Sequence, residues 1–208
     1  MVWKGKINML KKCFLLCWCG LLSGFLWAFN LTDLQNQLQQ PQSIKGNFTQ
    51  QRYLRGTSKP IVAQGQFVLV PKAGLLWQMK KPFVDTMRVR QSGIEQLNAS
   101  NQWVARKQSA SAQKNQVKLF LDLLAGQTSG LQNQFSLQLE GTAQTWQLHL
   151  QPKSVLMKQI FTRIDIQGDS VVKKITLSEV QGDRTEIIFS ALKVNAVLSR
   201  FEQNAVLP

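Results

Sequence analysis

The side chains that could carry chemistry are few. His149 is the sole histidine, and it stands between Leu148 and Leu150 in a segment that alternates as a strand, which suits an ordinary strand residue. A catalytic imidazole needs a nucleophile or a carboxylate brought to it by the fold. No GxSxG elbow, phosphate-binding loop or dinucleotide fingerprint is present. Asp165, Asp169, Glu179, Asp183 and Glu186 cluster along the chain and offer the raw material for a carboxylate pair. Turns and wet strand faces account for them equally well. Cys13, Cys17 and Cys19 fall within seven residues of one another in an apolar stretch near the N-terminus. Without them there is no thiol nucleophile, disulfide or thiolate metal site, and one histidine cannot hold a metal. The expectation is no catalytic residue, no metal, no cofactor and no enzymatic activity.

That apolar stretch reads as an export signal. Lys4, Lys6, Lys11 and Lys12 form a basic head, Cys13 to Leu26 an uncharged run, and cleavage is expected after Ala28. The run is short for a membrane span of roughly 20 residues; an uncleaved anchor is the alternative. Neither Cys17, after Leu16, nor Cys19, after Trp18, has the small preceding residue of a lipoprotein signal. Residues 29–208 then form one domain, large enough for a sizeable core. Four of the 25 basic residues lie in the signal, leaving 21 against 11 acidic ones, a net charge of about +10. The surplus favours an anionic partner. The basic residues are scattered, with only Lys80-Lys81 and Lys173-Lys174 as doublets, and no nucleic-acid motif appears.

The elements that must position the apolar side chains follow from periodicity. Leu31 to Gln40 reads as an amphipathic helix with Thr32 as N-cap, Leu34 and Leu38 on one face, and Pro41 as its stop. Gly46 to Leu54 alternates as a strand, with Phe48, Gln50 and Arg52 on one face. Gly65 to Val70 and Leu75 to Lys81 form a hairpin around Pro71 to Gly74. Leu75, Trp77 and Met79 share one face of its second strand. Thr86 to Gln91 places Met87 and Val89 opposite wet Arg88 and Arg90, and one more strand is expected within Ile94 to Val104. Lys107 to Asn115 has nothing to bury and reads as a loop. Val117 to Leu124 reads as a short apolar helix closed by Gly126 and Gly130, suited to a lid. Strands return at Ser136 to Leu139, Thr145 to Leu150, Phe161 to Gln167, Val171 to Val180 and Thr185 to Ser190. Phe161, Arg163 and Asp165 are expected on one face of the third of these. Regular strands with glycine-bearing turns imply a mostly β, α+β protein with one antiparallel sheet.

Asn47-Phe48-Thr49-Gln50-Gln51, Gly65-Gln66-Phe67, Gly74-Leu75-Leu76-Trp77 and Pro82, in that order, resemble the periplasmic lipoprotein carrier family LolA. The resemblance implies an incomplete β-barrel with helices as a lid over an apolar cavity for acyl chains. Leu75, Trp77 and Met79 would face that cavity, Phe67 and Leu69 would lie across from them, and Phe48 on the neighbouring strand. Leu34 and Leu38, with Phe120, Leu123 and Leu124, would be lid-side contacts. The family's turn carries arginine just before proline; here Pro71 and Lys72 stand in swapped order, making Lys72 the candidate for lid closure. The implied function is a monomeric carrier in the periplasm of a Gram-negative bacterium, taking an acylated cargo (lipoprotein or acyl lipid) from an inner-membrane exporter to an outer-membrane acceptor. The same fold also resembles periplasmic regulators that sense lipid and bind a membrane-anchored partner protein, which is the second reading.

Overall fold

The computed structural model describes residues 29–90, 92–105 and 128–207, together with Leu119, Asp122, Leu124 and Gly126. The expected loop at Lys107 to Asn115, and Phe120 and Leu123 of the apolar helix, lie outside the described residues. So does the signal segment.

Eleven strands form one sheet: β1 (Ile44–Tyr53), β2 (Ile61–Val70), β3 (Gly74–Lys81), β4 (Asp85–Arg90), β5 (Gly93–Leu97), β6 (Trp103–Ala105), β7 (Phe135–Thr142), β8 (Thr145–Pro152), β9 (Phe161–Gly168), β10 (Val172–Glu179) and β11 (Arg184–Val194). Their spatial order is β6-β5-β4-β3-β2-β1-β11-β10-β9-β8-β7. Two meanders are joined by the antiparallel β1–β11 pair, in which Phe48 faces Phe189. Among the described residues β6 and β7 are the edges, and the sheet is an incomplete barrel. One side carries a continuous apolar cluster running from Val89 on β4 to Leu137 on β7.

Four helices are described: α1 (Leu31–Gln39), α2 (Thr128–Gln132), α3 (Val155–Ile160) and α4 (Arg200–Val206). Asn30, not Thr32, caps α1: its side chain accepts from the backbone N–H groups of Thr32 and Asp33, and Asp33 accepts from Asn30 N–H. Asparagine fills the cap as well as threonine does, and the reciprocal aspartate decides the register. Leu34 and Leu38 are buried in the interior cluster. Gln37 Nε2 ties α1 to one end of the barrel by donating to Ala143 O (3.1 Å) and Asp169 O (2.5 Å).

Several expectations are corrected. The stretch Ile94 to Val104 holds parts of two strands, β5 and β6, hinged where Asn98 caps a tight turn by accepting from Ser100 and Gln102. Gly130 does not end a helix; it lies within α2. On β9 the buried residues are Phe161, Ile164 and Ile166, because an irregularity opposite Ser178 and Glu179 shifts the alternation after Phe161. α3 and α4 had no counterpart in the sequence reading.

α4 accounts for the largest correction. Arg88 and Arg90 do not face open water. They lie on the outer face of β4 beneath α4, where Ala205 and Val206 bury Val68 and Leu76 in a second small core. Arg88 and Arg90 donate to the terminal carbonyls of Asn204 and Leu207 at 3.2 Å each, meeting the orphan acceptors and negative dipole end of the helix. Both also hold Glu95, at 2.8 and 3.1 Å. Arg88 stacks over Trp103 (4.5 Å), which in turn stacks on Phe201. At its start α4 has a capping box of Ser199 and Glu202, and Glu202 pairs with Lys45 at 2.6 Å.

Candidate functional site

The interior is assembled row by row from cross-strand pairs. Leu69 faces Leu75, and Phe67 faces Trp77, across β2 and β3. Leu75 faces Val89 and Trp77 faces Met87 across β3 and β4. The expected neighbours are therefore brought together: Phe67, Leu69, Leu75, Trp77 and Phe48 are all buried in one cluster, with Met79 half-buried at its margin. Leu34 and Leu38 of α1 and Leu124 of the helical stretch join the same cluster. A Cβ at Gly126 would sit 2.7 Å from that of Leu38, so this stretch lies directly against α1.

Four rings form the centre. Phe48 stacks on Trp77 (centroids 3.7 Å apart, planes at 21°), Phe67 meets Phe189 edge-on (5.0 Å), and Trp77 meets Phe189 edge-on (6.4 Å). Phe48 on β1 and Trp77 on β3 are separated by the whole of β2. Their stack exists because Gly65 stands between them. A Cβ there would lie 2.7 Å from the Phe48 ring and closer still to the carbonyl oxygen of Gln78. The sequence reading valued Gly65 only as part of a pattern; its role is to let one aromatic ring lie flat over a strand. Phe189 completes the group, and in the sequence an isolated phenylalanine in a strand gives no signal of its own.

Polarity changes along the barrel. At the end held by α1 the inward row is apolar (Ile44, Leu69, Leu75, Val89). Toward the other end the same strand faces carry Gln50, Arg52, Asp85 and Gln96. Gln96 donates to Asp85 at 2.9 Å, and Arg52 pairs with Asp183 at 3.0 Å and Glu179 at 3.7 Å. The Arg55 backbone N–H and the Arg52 guanidinium hold the Asp183 carboxyl below its usual range. The Pro71–Lys72 turn lies at the α1 end. Lys72 has a positive φ of 70° and is exposed. Among the described residues its side chain makes no hydrogen bond or ion pair, and its position serves the turn itself.

The polar cluster around His149 is on the opposite face. Its Nδ1 is 2.5 Å from Asp165 Oδ1, directly across the β8–β9 pair, and Arg163 bridges both residues at 2.6 and 2.7 Å. Trp146, Leu148 and Leu150 point inward while His149 points out. The group is a polar cluster built on the Arg163–Asp165 ion pair, on a strand surface. Among the described residues no three His, Cys, Asp or Glu side chains converge to hold a metal. No helix among them is long and apolar enough to cross a membrane.

The fold has solved counterparts. A chain of the Pseudomonas aeruginosa MucA/MucB complex superposes with a TM-score of 0.50 at 16% identity, covering 82% of this chain and 58% of that one. A LolA superfamily protein from Nitrosomonas europaea superposes with a TM-score of 0.43 at 8% identity, covering 83% and 95%. The chain thus spans little more than half the length of its MucA/MucB counterpart. No curated protein sequence matches it. The model of the outer membrane lipoprotein carrier protein LolA matches residues 39–202, a span that includes all eleven strands and every one of the four central rings, and on that match the chain belongs to the LolA family.

Proposed function

We propose that this protein is a periplasmic carrier that binds the acyl chains of a lipoprotein or related acylated lipid and ferries it from the inner to the outer membrane. The observation that supports this reading is the composition of the interior. An apolar cluster runs across an unclosed sheet from β4 to β7, and Leu34 and Leu38 of α1, with Leu119 and Leu124, pack against it. The leucine contacts are non-directional, and the directional tie that opening must break on α1 is the Gln37 amide, held by Ala143 O and Asp169 O. Leucines that withdraw can be replaced by methylenes of a cargo chain at about 0.8 kcal/mol per buried CH₂, which gives ~10 kcal/mol for a long chain before entropic costs. Phe48, Phe67, Leu69, Leu75, Trp77 and Met79 form the wall of this site, and Leu34, Leu38 and Leu124 its displaceable cover, to which the family resemblance adds Phe120 and Leu123. Loading selects the open form by its higher affinity for cargo. Pro71 and Lys72 fix the turn at the covered end, where a change in closure would be felt.

Trp77 supplies the test. A fatty-acyl probe brominated at mid-chain quenches a tryptophan that it touches. Saturable quenching at about one probe per chain, much reduced in Trp77→Phe, is the expected result. A protein that recovers no acyl lipid in native mass spectrometry and shows no quenching overturns the carrier reading. That outcome favours a protein-binding module of the same fold, the reading supported by the likeness to the MucA/MucB complex and by β6 and β7, which are edge strands among the described residues.

A further inference from the structure

The two ends of the barrel differ in a way that neither the interior nor the family match explains. Antiparallel register puts five connections on the end away from α1: residues 54–60, 82–84, 98–102, 153–160 (with α3) and 180–183. Four of these carry large apolar side chains into solvent. Phe83 is 62% exposed, Val84 76%, Val155 75% and Val180 52%; Ile61, where β2 begins, is 57% exposed. The same rim carries Arg55, Lys59, Lys80, Lys81, Lys153 and Lys158. None of these five lysines forms an ion pair among the described residues. The acids at this rim are Asp85, Glu179 and Asp183, and each is already engaged: Asp85 by Gln96, Glu179 by Arg52, and Asp183 by Arg52 and the Arg55 backbone. The connections at the α1 end, 71–73, 143–144 and 169–171, carry one lysine and one aspartate.

We infer that this rim is a docking surface for an anionic phospholipid bilayer. The apolar tips stand on separate connections around a ring; they do not line one groove. A shaped protein partner would have to match each tip, whereas a bilayer surface is deformable and accepts apolar side chains at headgroup depth wherever they fall. Unpaired lysines between the tips match the negative potential of such a surface, and each attracts it by about 1 kcal/mol, or roughly fivefold in binding. Their alkyl stems lie along the apolar level while the ammonium groups reach phosphate. This surface is separate from the interior, so docking and acyl binding fail or survive independently.

The test is vesicle co-sedimentation with residues 29–208, which contain every strand and helix described. Vesicles of phosphatidylethanolamine with one quarter phosphatidylglycerol should bind the protein, and phosphatidylcholine vesicles should not. Raising NaCl from 0.05 to 0.5 M should release it. Lys80→Gln/Lys81→Gln should weaken binding about 25-fold, and Phe83→Ser/Val84→Ser at least tenfold. Both pairs are exposed at the β3–β4 turn, so urea midpoints should stay at the wild-type value. A tryptophan introduced by Phe83→Trp should shift its emission to the blue on vesicles and be quenched by brominated lipid. Absence of binding to the anionic vesicles overturns the proposal. So does a loss in the lysine variant with none in Phe83→Ser/Val84→Ser, which marks an electrostatic face fit for an acidic protein.

Discussion

Gly65 offers the sharpest test of how the interior is built. Gly65→Ala places a methyl group 2.7 Å from the Phe48 ring, which is held from the other side by Trp77 at 3.7 Å. The ring cannot step aside, and the Gln78 carbonyl behind it is backbone. Overpacking of this kind costs about 1–3 kcal/mol, and the rigid neighbours put this site at the upper end. Phe48→Leu keeps most of the volume but removes the ring, at a cost of ~1–1.5 kcal/mol for the swap and ~1 kcal/mol for the lost aromatic stack. In the double variant the branched leucine no longer spans the strand, so part of the clash at residue 65 is relieved. The sum of the single effects should therefore exceed the double effect by at least ~0.5 kcal/mol. Urea unfolding followed by far-UV circular dichroism reads this directly, since ~2 kcal/mol moves the midpoint by roughly 1 M at an m-value of ~2 kcal/mol/M. Additivity within ~0.3 kcal/mol would refute the argument that Phe48 crosses β2 by way of Gly65. So would a Gly65→Ala variant as stable as the wild type.

Other consequences concern the outer face. Val206→Asp sets a carboxylate against Val68 and Leu76 and should destabilise by more than about 3 kcal/mol in the same unfolding assay. Glu95 is held below its ordinary value of 4.5 by the Arg88 hydrogen bond, against the opposing effect of burial, with Arg90 assisting. A carboxyl depressed in the folded state stabilises above its unfolded value and loses that contribution as pH falls through its folded value. Wild type should accordingly exceed Glu95→Gln by ~1–2 kcal/mol at pH 7, with the gap closing progressively below pH 4.5 in unfolding series taken at each pH. His149→Gln, on a strand surface away from the interior, should leave acyl-probe quenching unchanged and shift stability by less than about 1 kcal/mol. A loss of quenching there would relocate the binding site.

Local pattern determined much of this protein. Period-two alternation in Leu75, Trp77 and Met79, and in Met87 and Val89, fixed which side chains face inward, because a strand's side chains can only point to two sides. The four-residue spacing of Leu34 and Leu38 likewise fixed the buried face of α1. The thin set of chemically reactive side chains was legible as composition. Tertiary structure decided the rest, and for one reason: it brings together residues that no local pattern relates. The outer face of β4 reads as wet strand surface until α4, more than a hundred residues later in the chain, covers it and turns Arg88 and Arg90 into its C-terminal clamp. The shift of face along β9 depends on an irregularity in its pairing with β10. Gly65 reads as a weak point in a strand, and only the ring of Phe48 from the next strand, reaching over it to Trp77, shows why no larger residue fits.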